Sequence, residues 1–384
     1  MQYEERAVMQ CRLLTAAVAG VLMVAPMIAL ASLQYGGMAQ GELGYWKDTS
    51  QGVTKSQGTN VLDNSAGRFW ISASEKLGRG LKGLAFFMFK VNTVGNAGFD
   101  TSPYAPGTNG GEKWVGIASP FGRIEIGNVM SPYKYAGGVT WDRFLLTDLQ
   151  ARGNGGMAAG VFGQNGFMTD SILYSSPHYA GFQLGVAYSP MNAGVNGDAT
   201  TTSMTAQHGD YSTALTWRAL HWDVVVARDH AGAVNSVQTY KPYAQLIGVG
   251  DGLQYANLGK TQNNTKFGLR YNFGPVAVMG QFENLDTAGQ VDPTHDLFVA
   301  VDGNVGPWVP ILQGGETTDQ YYGPDIKVRY VAVGTFYNFK KGFSLYGGYR
   351  RTQVSGVNAT VTAADAAAAN GNQNVLSVGM RKVF

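Results

Sequence analysis

Cationic side chains recur at alternate positions beside apolar ones, and this spacing could build a charged wall. Lys266 and Arg270 alternate with Phe267 and Leu269, for example. Neighbouring side chains of a β-strand point to opposite faces, so an apolar face directed at lipid or a core sends the cations to the other face. A ring of Arg and Lys favours anions. The pattern therefore predicts an anion-attracting surface.

The same parity argument places further charged residues on this wall, nearly all of them basic. The predicted wall comprises Arg68, Lys82, Arg123, Glu125, Lys266, Arg270, Lys327, Arg329, Arg350 and Arg381. A second charged group lies in a glycine-rich stretch at residues 130–168. It comprises Lys134, Asp142, Arg143, Asp148 and Arg152. A positive wall that faces loop carboxylates would create a transverse field, and the basic excess predicts a modest preference for anions. The alternative is that these charges only solvate the wall or pair with loop acids.

Residue types that carry bond-making chemistry are scattered. The five histidines are His178, His208, His221, His230 and His295, and none lies in a catalytic or metal-binding motif. No HxxH or CxxC spacing occurs, and the loop acids lack the spacing of a calcium loop. The sequence therefore predicts a protein that is not an enzyme and has no metal site, nucleotide site or cofactor.

Composition narrows the fold class. Glycine makes up 53 of 384 residues, about twice the usual share of roughly 7%, while only 14% of residues are charged. An aromatic content of 12% and a net charge of +2 argue against disorder and against nucleic-acid binding. A helical membrane protein needs several apolar runs of about 20 residues, and only one exists, near the N-terminus. A β protein rich in glycine and aromatic residues remains.

Residues 1–31 are predicted to be a secretory signal peptide. The stretch from 13 to 30 carries no charge, and Ala29 and Ala31 fit the small-x-small cleavage rule, which places cleavage near Ala31. A retained membrane anchor is the alternative. The only cysteine, Cys11, precedes the apolar run, so the exported chain would depend on neither disulfides nor thiols.

Segments of eight to twelve residues with alternating polarity predict half-buried strands. Tight turns, as at 78–80 and 273–275, alternate with long spans rich in Gly, Asn and Thr, as at 47–67 and 130–168. Short turns at one end and long loops at the other are typical of an antiparallel, up-and-down transmembrane β-barrel. The chain contains fourteen clear strand candidates, and a weak hairpin within 285–325 would make sixteen. A closed barrel of sixteen strands would enclose an aqueous lumen.

Four motifs in order give the chain a resemblance to the trimeric general porins of Gram-negative proteobacteria. They are residues 68–82, 114–117 with 121–127, 170–177 with 181–182, and the closing 379–384. The resemblance covers residues 32–384. It implies a sixteen-stranded barrel in outer-membrane lipid, a homotrimer, and passive diffusion of small hydrophilic solutes and ions.

The resemblance also assigns roles to particular segments. The loop at 130–168 would fold into the lumen and narrow it, and the terminal Phe384 would be recognised by the barrel-insertion machinery. The sequence departs from the family at Leu173 and Asn128, where basic residues are frequent, and at Ser72, where Lys is frequent. A further departure is an apolar row on the predicted lumenal side of one strand, formed by Leu84, Phe86 and Met88.

Two other functions fit the same barrel. A substrate-specific channel would use aromatic residues of the loop, namely Tyr133, Tyr135, Trp141 and Phe144, to stack against a solute, although such residues more often pack against the wall. A structural or adhesive surface barrel would act through its external loops, and any conductance would be incidental.

Overall fold

The computed structural model describes residues 32–50, 53–63, 66–91, 93–94, 111–151, 167–190, 209–232, 261–288, 292–319, 326–356 and 370–384. The predicted signal peptide (residues 1–31) and Arg152 lie outside these residues. Over the ranges given, no helix combines the length and the apolar character needed to cross a membrane.

The fold is a single antiparallel sheet. Its segments are β1 (Ser32–Ser50), β2 (Val53–Leu62), β3 (Arg68–Gly78), β4 (Leu81–Lys90), β5 (Lys113–Ser119), β6 (Gly122–Met130), β7 (Phe167–Ser175), β8 (Phe182–Ser189), β9 (Asp210–Ala219), β10 (Trp222–Ala231), β11 (Gln262–Phe273), β12 (Val276–Thr287), β13 (Thr294–Gly303), β14 (Trp308–Asp319), β15 (Ile326–Asn338), β16 (Phe343–Ser355) and β17 (Gly371–Val383). Consecutive segments pair, and β1 pairs with β17, so the sheet closes into a barrel.

Seventeen segments make sixteen strand positions. β2 pairs with the second half of β1, from Glu42 onward, and β3 pairs with its first half, up to Met38. The two segments therefore share one position beside β1. The weak hairpin forms β13 and β14, which pair from His295↔Thr318 to Asp302↔Ile311. This hairpin confirms the count of sixteen over fourteen.

The expected asymmetry of the connections is present with one exception. Tight turns join β3 to β4, where Gly80 has φ +78°, and β11 to β12, where Gly274 has φ +67°. A positive φ costs glycine little because it has no Cβ. The expected long loop at 47–67 is wrong, because β1 and β2 extend as a paired hairpin as far as Ser50 and Val53. The sequence obscured this extension because polar and small residues dominate both strands there.

The two faces of the sheet differ sharply in exposure. On β5 and β6, Val115, Ile117, Ile124 and Ile126 are each about half exposed, while Glu125 on the opposite face is 1% exposed. An exposed apolar face suits lipid contact, where a charge at the midplane would cost about 2–4 kcal/mol. We call the other face, whose side chains are largely covered, the buried face.

Candidate pore-lining site

A segment between β6 and residue 152 packs against the buried face, and we call residues 131–151 the loop segment. It contains two short helices, α1 (Pro132–Tyr135) and α2 (Gly138–Trp141). The Ser131 hydroxyl caps α1 by accepting from the Lys134 amide at 3.2 Å. The carboxylate of Asp142 accepts from the amides of Phe144 at 3.1 Å and Ala151 at 2.8 Å. Asp142, 3% exposed, therefore shapes the segment itself.

Hydrogen bonds join the loop segment to strands far apart in the barrel. The Tyr133 amide donates to Ser212 on β9 at 3.0 Å, and Gln313 on β14 donates to Asp142 at 2.7 Å. The Asp148 amide donates to Glu42 on β1 at 2.9 Å. The loop segment thus contacts β9, β14 and β1, the strand that closes the barrel by pairing with β17.

Three apolar side chains of the loop segment fit against glycines of the wall. A Cβ added at Gly268 on β11 would overlap the Trp141 ring, and one at Gly348 on β16 would lie 2.8 Å from Leu149. A Cβ at Gly334 on β15 would lie 3.0 Å from the Phe144 ring. Glycine at these three positions leaves room for the loop segment, and at Gly334 and Gly348 it also allows the close approach of the neighbouring strand's backbone.

Ion pairs add to this packing. Arg143 forms two parallel hydrogen bonds to Asp302 on β13, each 3.0 Å long, and Arg270 lies 4.0 Å from the same carboxylate. Lys266 is fully buried; its Nζ donates to the Tyr133 carbonyl at 2.5 Å and lies 3.9 Å from Glu283. Removing one member of such a buried pair leaves the other charge uncompensated.

Three more predicted cations lie on the buried face within hydrogen-bonded networks. Arg350, 3% exposed, donates to Thr352 and Gln373, each at 2.8 Å. Arg381 donates to Gln40 at 2.7 Å and to the Leu145 carbonyl at 3.2 Å. Arg68 donates to the Ala66 carbonyl at 3.0 Å. Arg381 thus joins the wall to the loop segment, whereas these bonds of Arg350 and Arg68 lie outside the loop segment.

An open cavity of about 620 Å³ lies between the loop segment and the wall formed by β1 and β3 to β9. Arg123 and Arg218 line it, with side chains 45% and 50% exposed. Arg123 pairs with Glu125 at 2.6 Å, and Arg218 pairs with Asp223 at 2.7 Å. Each carboxylate is less exposed than its arginine, at 2% and 22%. Glu112 also lines the cavity. In both ion pairs, the arginine is the partner that is more exposed to solvent.

The remaining predicted residues are distributed as follows. Lys82 is exposed on the face of β4 that also carries Leu84 and Phe86. Lys134 is 8% exposed, with its Nζ 3.3 Å from the centre of the Phe167 ring. Asp148 lies beside Gly44 of β1. Phe384 pairs with Gly37 through two backbone hydrogen bonds of 2.9 and 3.1 Å.

The placement of Lys327 and Arg329 on the wall is wrong. Val328 and Tyr330 are 0% and 4% exposed, and the Tyr330 hydroxyl donates to the Leu149 carbonyl of the loop segment. Arg329 therefore points to the exposed face, where it pairs with Glu316 at 2.6 Å. Parity failed here because the loop segment supplies an apolar environment on the buried face, so apolar residues are stable on that side too.

The expectation of an almost wholly basic wall is also wrong, because sequence reasoning missed most of its acids. Six carboxylates on the buried face are at most 2% exposed: Glu42, Asp48, Asp229, Glu283, Asp296 and Asp302. The signal was present, since Glu283 continues the alternation of Met279 and Gln281 opposite the apolar Phe282.

The aromatic residues of the loop segment divide between packing and exposure. Tyr133, Trp141 and Phe144 are at most 2% exposed and pack against the wall. Tyr135 is 59% exposed and lines the cavity. Burial raises the pKa of the Tyr133 phenol well above its ordinary value, so this hydroxyl stays neutral.

Just before β5, burial raises the pKa of the Glu112 carboxyl above its ordinary value of 4.5, although Lys134 and Arg123 lower it in part.

Within the described ranges, no group of three or more His, Cys, Asp or Glu residues could hold a metal ion.

Comparison with known proteins identifies relatives. A sequence model of the Gram-negative porins matches residues 14–357. No curated protein sequence matches the chain. The fold is similar to that of an anion-selective porin from Comamonas acidovorans, with 17% identity, a TM-score of 0.64, and coverage of 92% of this chain and 100% of the other. It is also similar to a trimer form of OmpT from Vibrio cholerae, with 13% identity, a TM-score of 0.62 and coverage of 92% and 100%. Salmonella typhi OmpF shares 14% identity, with a TM-score of 0.61 and coverage of 92% and 97%.

Proposed function

This chain belongs to the family of Gram-negative porins and is an outer-membrane β-barrel channel; on that premise we propose that it passes small hydrophilic solutes and ions by passive diffusion, with a modest preference for anions. The loop segment lies across the lumen and narrows it. Its contacts with β1, β9 and β14 support this placement, because they join distant parts of one wall.

The observation that carries the anion preference is the unequal exposure of opposite charges. Arg123 and Arg218 are about half exposed in the cavity, whereas Glu125 is nearly covered. The count of charges does not favour anions, since acids are plentiful on the buried face. A permeating ion responds most strongly to charges that water reaches along its path, because nearby exposed cations raise the local anion concentration.

Planar-bilayer recording across a salt gradient tests this proposal. Purified protein should give discrete conductance steps and a reversal potential displaced toward that of the anion. A reversal potential on the cation side would refute the anion preference. A barrel that inserts and gives no steps would refute diffusion and favour a structural or adhesive role.

We also propose a homotrimer, in which each barrel forms its own channel. We propose no catalytic activity for the protein. The trimer form of the Vibrio cholerae OmpT structure supports this assembly. Closure of single insertions in three equal steps would agree with it, and closure in one step would not. We propose that export removes residues 1–31. The mass of the N-terminal peptide, measured on protein isolated from outer membranes, tests cleavage near Ala31.

A further inference from the structure

The wall of the cavity carries an apolar surface that passive diffusion of hydrated ions does not require. Phe86 stacks between two tryptophans of the neighbouring strands: Trp70, with ring centres 6.1 Å apart, and Trp114, with ring centres 5.6 Å apart. Leu84, two residues before Phe86 on the same face of β4, also lines the cavity. Tyr135 of the loop segment also lines the cavity. We call Leu84, Phe86, Trp114 and Tyr135 the apolar shelf.

An arginine lies directly beside this shelf. The Arg123 guanidinium carbon is 5.5 Å from the centre of the Trp114 ring. Glu125 engages its Nε, and nearly half of the side chain stays exposed to the cavity. Arg218 lines the same cavity from β9. A guanidinium presents a planar fork of donors that matches a carboxylate.

The two surfaces together select a ligand chemistry. A carboxylate bound at Arg123 would hold an attached ring close to Trp114 and Phe86, because the guanidinium extends back over the indole. The cavity volume of about 620 Å³ lies within the usual range for sites that bind small molecules. An inorganic anion would satisfy the arginines and gain nothing from the shelf. A neutral aromatic solute would gain only the shelf.

We propose that this cavity is a binding site for small aromatic carboxylates, which the channel takes up in preference to equally charged anions without an apolar body. The inference rests on the proposed function as an anion-passing channel and names a solute class for it. The site lies on the barrel wall. Three of the loop aromatics considered from the sequence are buried and take no part.

Competition with chloride current in a planar bilayer tests the site. Potassium benzoate is added to channels conducting in potassium chloride, and potassium acetate serves as the solute that shares the charge and lacks the ring. Benzoate should reduce the current in a saturable way, whereas acetate at equal concentration should not. Phe86→Leu should raise the half-blocking concentration of benzoate about fivefold, since an aromatic contact contributes roughly 1 kcal/mol.

Matched controls separate the site from general effects on the barrel. Phe87→Leu changes the next residue of β4, whose ring is 41% exposed on the other face, and should leave the block unchanged. Arg123→Gln should raise the half-blocking concentration about tenfold, whereas Arg329→Gln on the exposed face should not alter it. Phe86→Leu keeps an apolar side chain, so folding should be maintained.

The outcomes distinguish this inference from the proposed function. Steady anion-selective conductance that benzoate and acetate affect equally would overturn the aromatic site and leave the channel function standing. Selective block that persists unchanged in both Phe86→Leu and Arg123→Gln would place the site elsewhere and refute this one. Absence of conductance would refute the channel function itself.

Discussion

Replacing Gly268 on β11 should test how the loop segment is held. Trp141, 2% exposed, packs directly on this glycine, and an added Cβ would overlap its ring and lie 2.8 Å from a Val225 methyl. A buried tryptophan removes about 150–250 Å² from water, so expelling it costs about 4–6 kcal/mol at 25 cal/mol per Å². Overpacking costs about 1–3 kcal/mol. For Gly268→Ala, overpacking costs less than expelling Trp141. The indole ring should therefore shift slightly and remain packed against β11.

Gly268→Leu should have the opposite outcome. The leucine side chain needs the volume that the indole occupies, so Trp141 must move away from β11 and toward the open cavity. The anchors at Asp302 and Gly348 still hold the later part of the loop segment. Because the displaced residues enter the remaining opening, the single-channel conductance of Gly268→Leu should fall clearly below that of Gly268→Ala.

Single-channel recording in a planar bilayer measures this effect. Gly280→Leu is the matched control, since this glycine is on the next strand and an added Cβ would meet no atom closer than 3.7 Å. Equal conductance of Gly268→Leu and Gly280→Leu would refute the packing of Trp141 as the element that sets the opening.

Four further predictions test individual interactions. Asp302→Asn weakens two charge-assisted hydrogen bonds to the partly exposed Arg143. Losing about 1–2 kcal/mol from this attachment of the loop segment should increase open-channel noise, and unchanged noise would contradict an anchoring role for Asp302. Glu125→Gln frees Arg123 and should shift the reversal potential further toward the anion; a shift toward the cation would oppose our account. Arg218→Gln should reduce anion preference while Arg329→Gln should not, and equal effects would contradict their placement on opposite faces. Lys266→Met leaves Glu283 buried without its cationic partner, so it should destabilise the barrel by about 3–5 kcal/mol in heat denaturation. The double variant with Glu283→Leu should recover most of the loss, and additive losses would argue against a coupled pair.

The barrel was predictable from the sequence because lipid imposes a strict rule. One face of every strand must be apolar, as Phe267 and Leu269 are on β11, and turn residues such as Gly274 mark the strand ends. The hairpin of β13 and β14 gave a weak signal because Pro310 and the pair Gly314 and Gly315 interrupt the alternation.

The site was only partly predictable, because alternation identifies the two faces of a strand without saying which of them is buried. That choice failed at β15, where contacts with the loop segment make the buried face apolar at Tyr330. Those contacts bring together residues far apart in the chain, such as Leu149 and Gly348, and no local pattern records them. The unequal exposure of Arg123 and Glu125 likewise depends on packing.

Closure of the barrel by β1 and β17 sets the order in which the fold can be completed. Met38 pairs with Val383, 345 residues away along the chain (383 minus 38). Joining the ends of so long a chain costs about 5 kcal/mol in chain entropy, which twelve registered residue pairs between β1 and β17 must offset together. Until the last strand arrives, both margins of the sheet present unpaired backbone groups that can recruit other chains. Both margins of the sheet therefore stay unpaired until the last strand is in place. During assembly, the unfinished barrel must be prevented from pairing edge to edge with other copies of the chain.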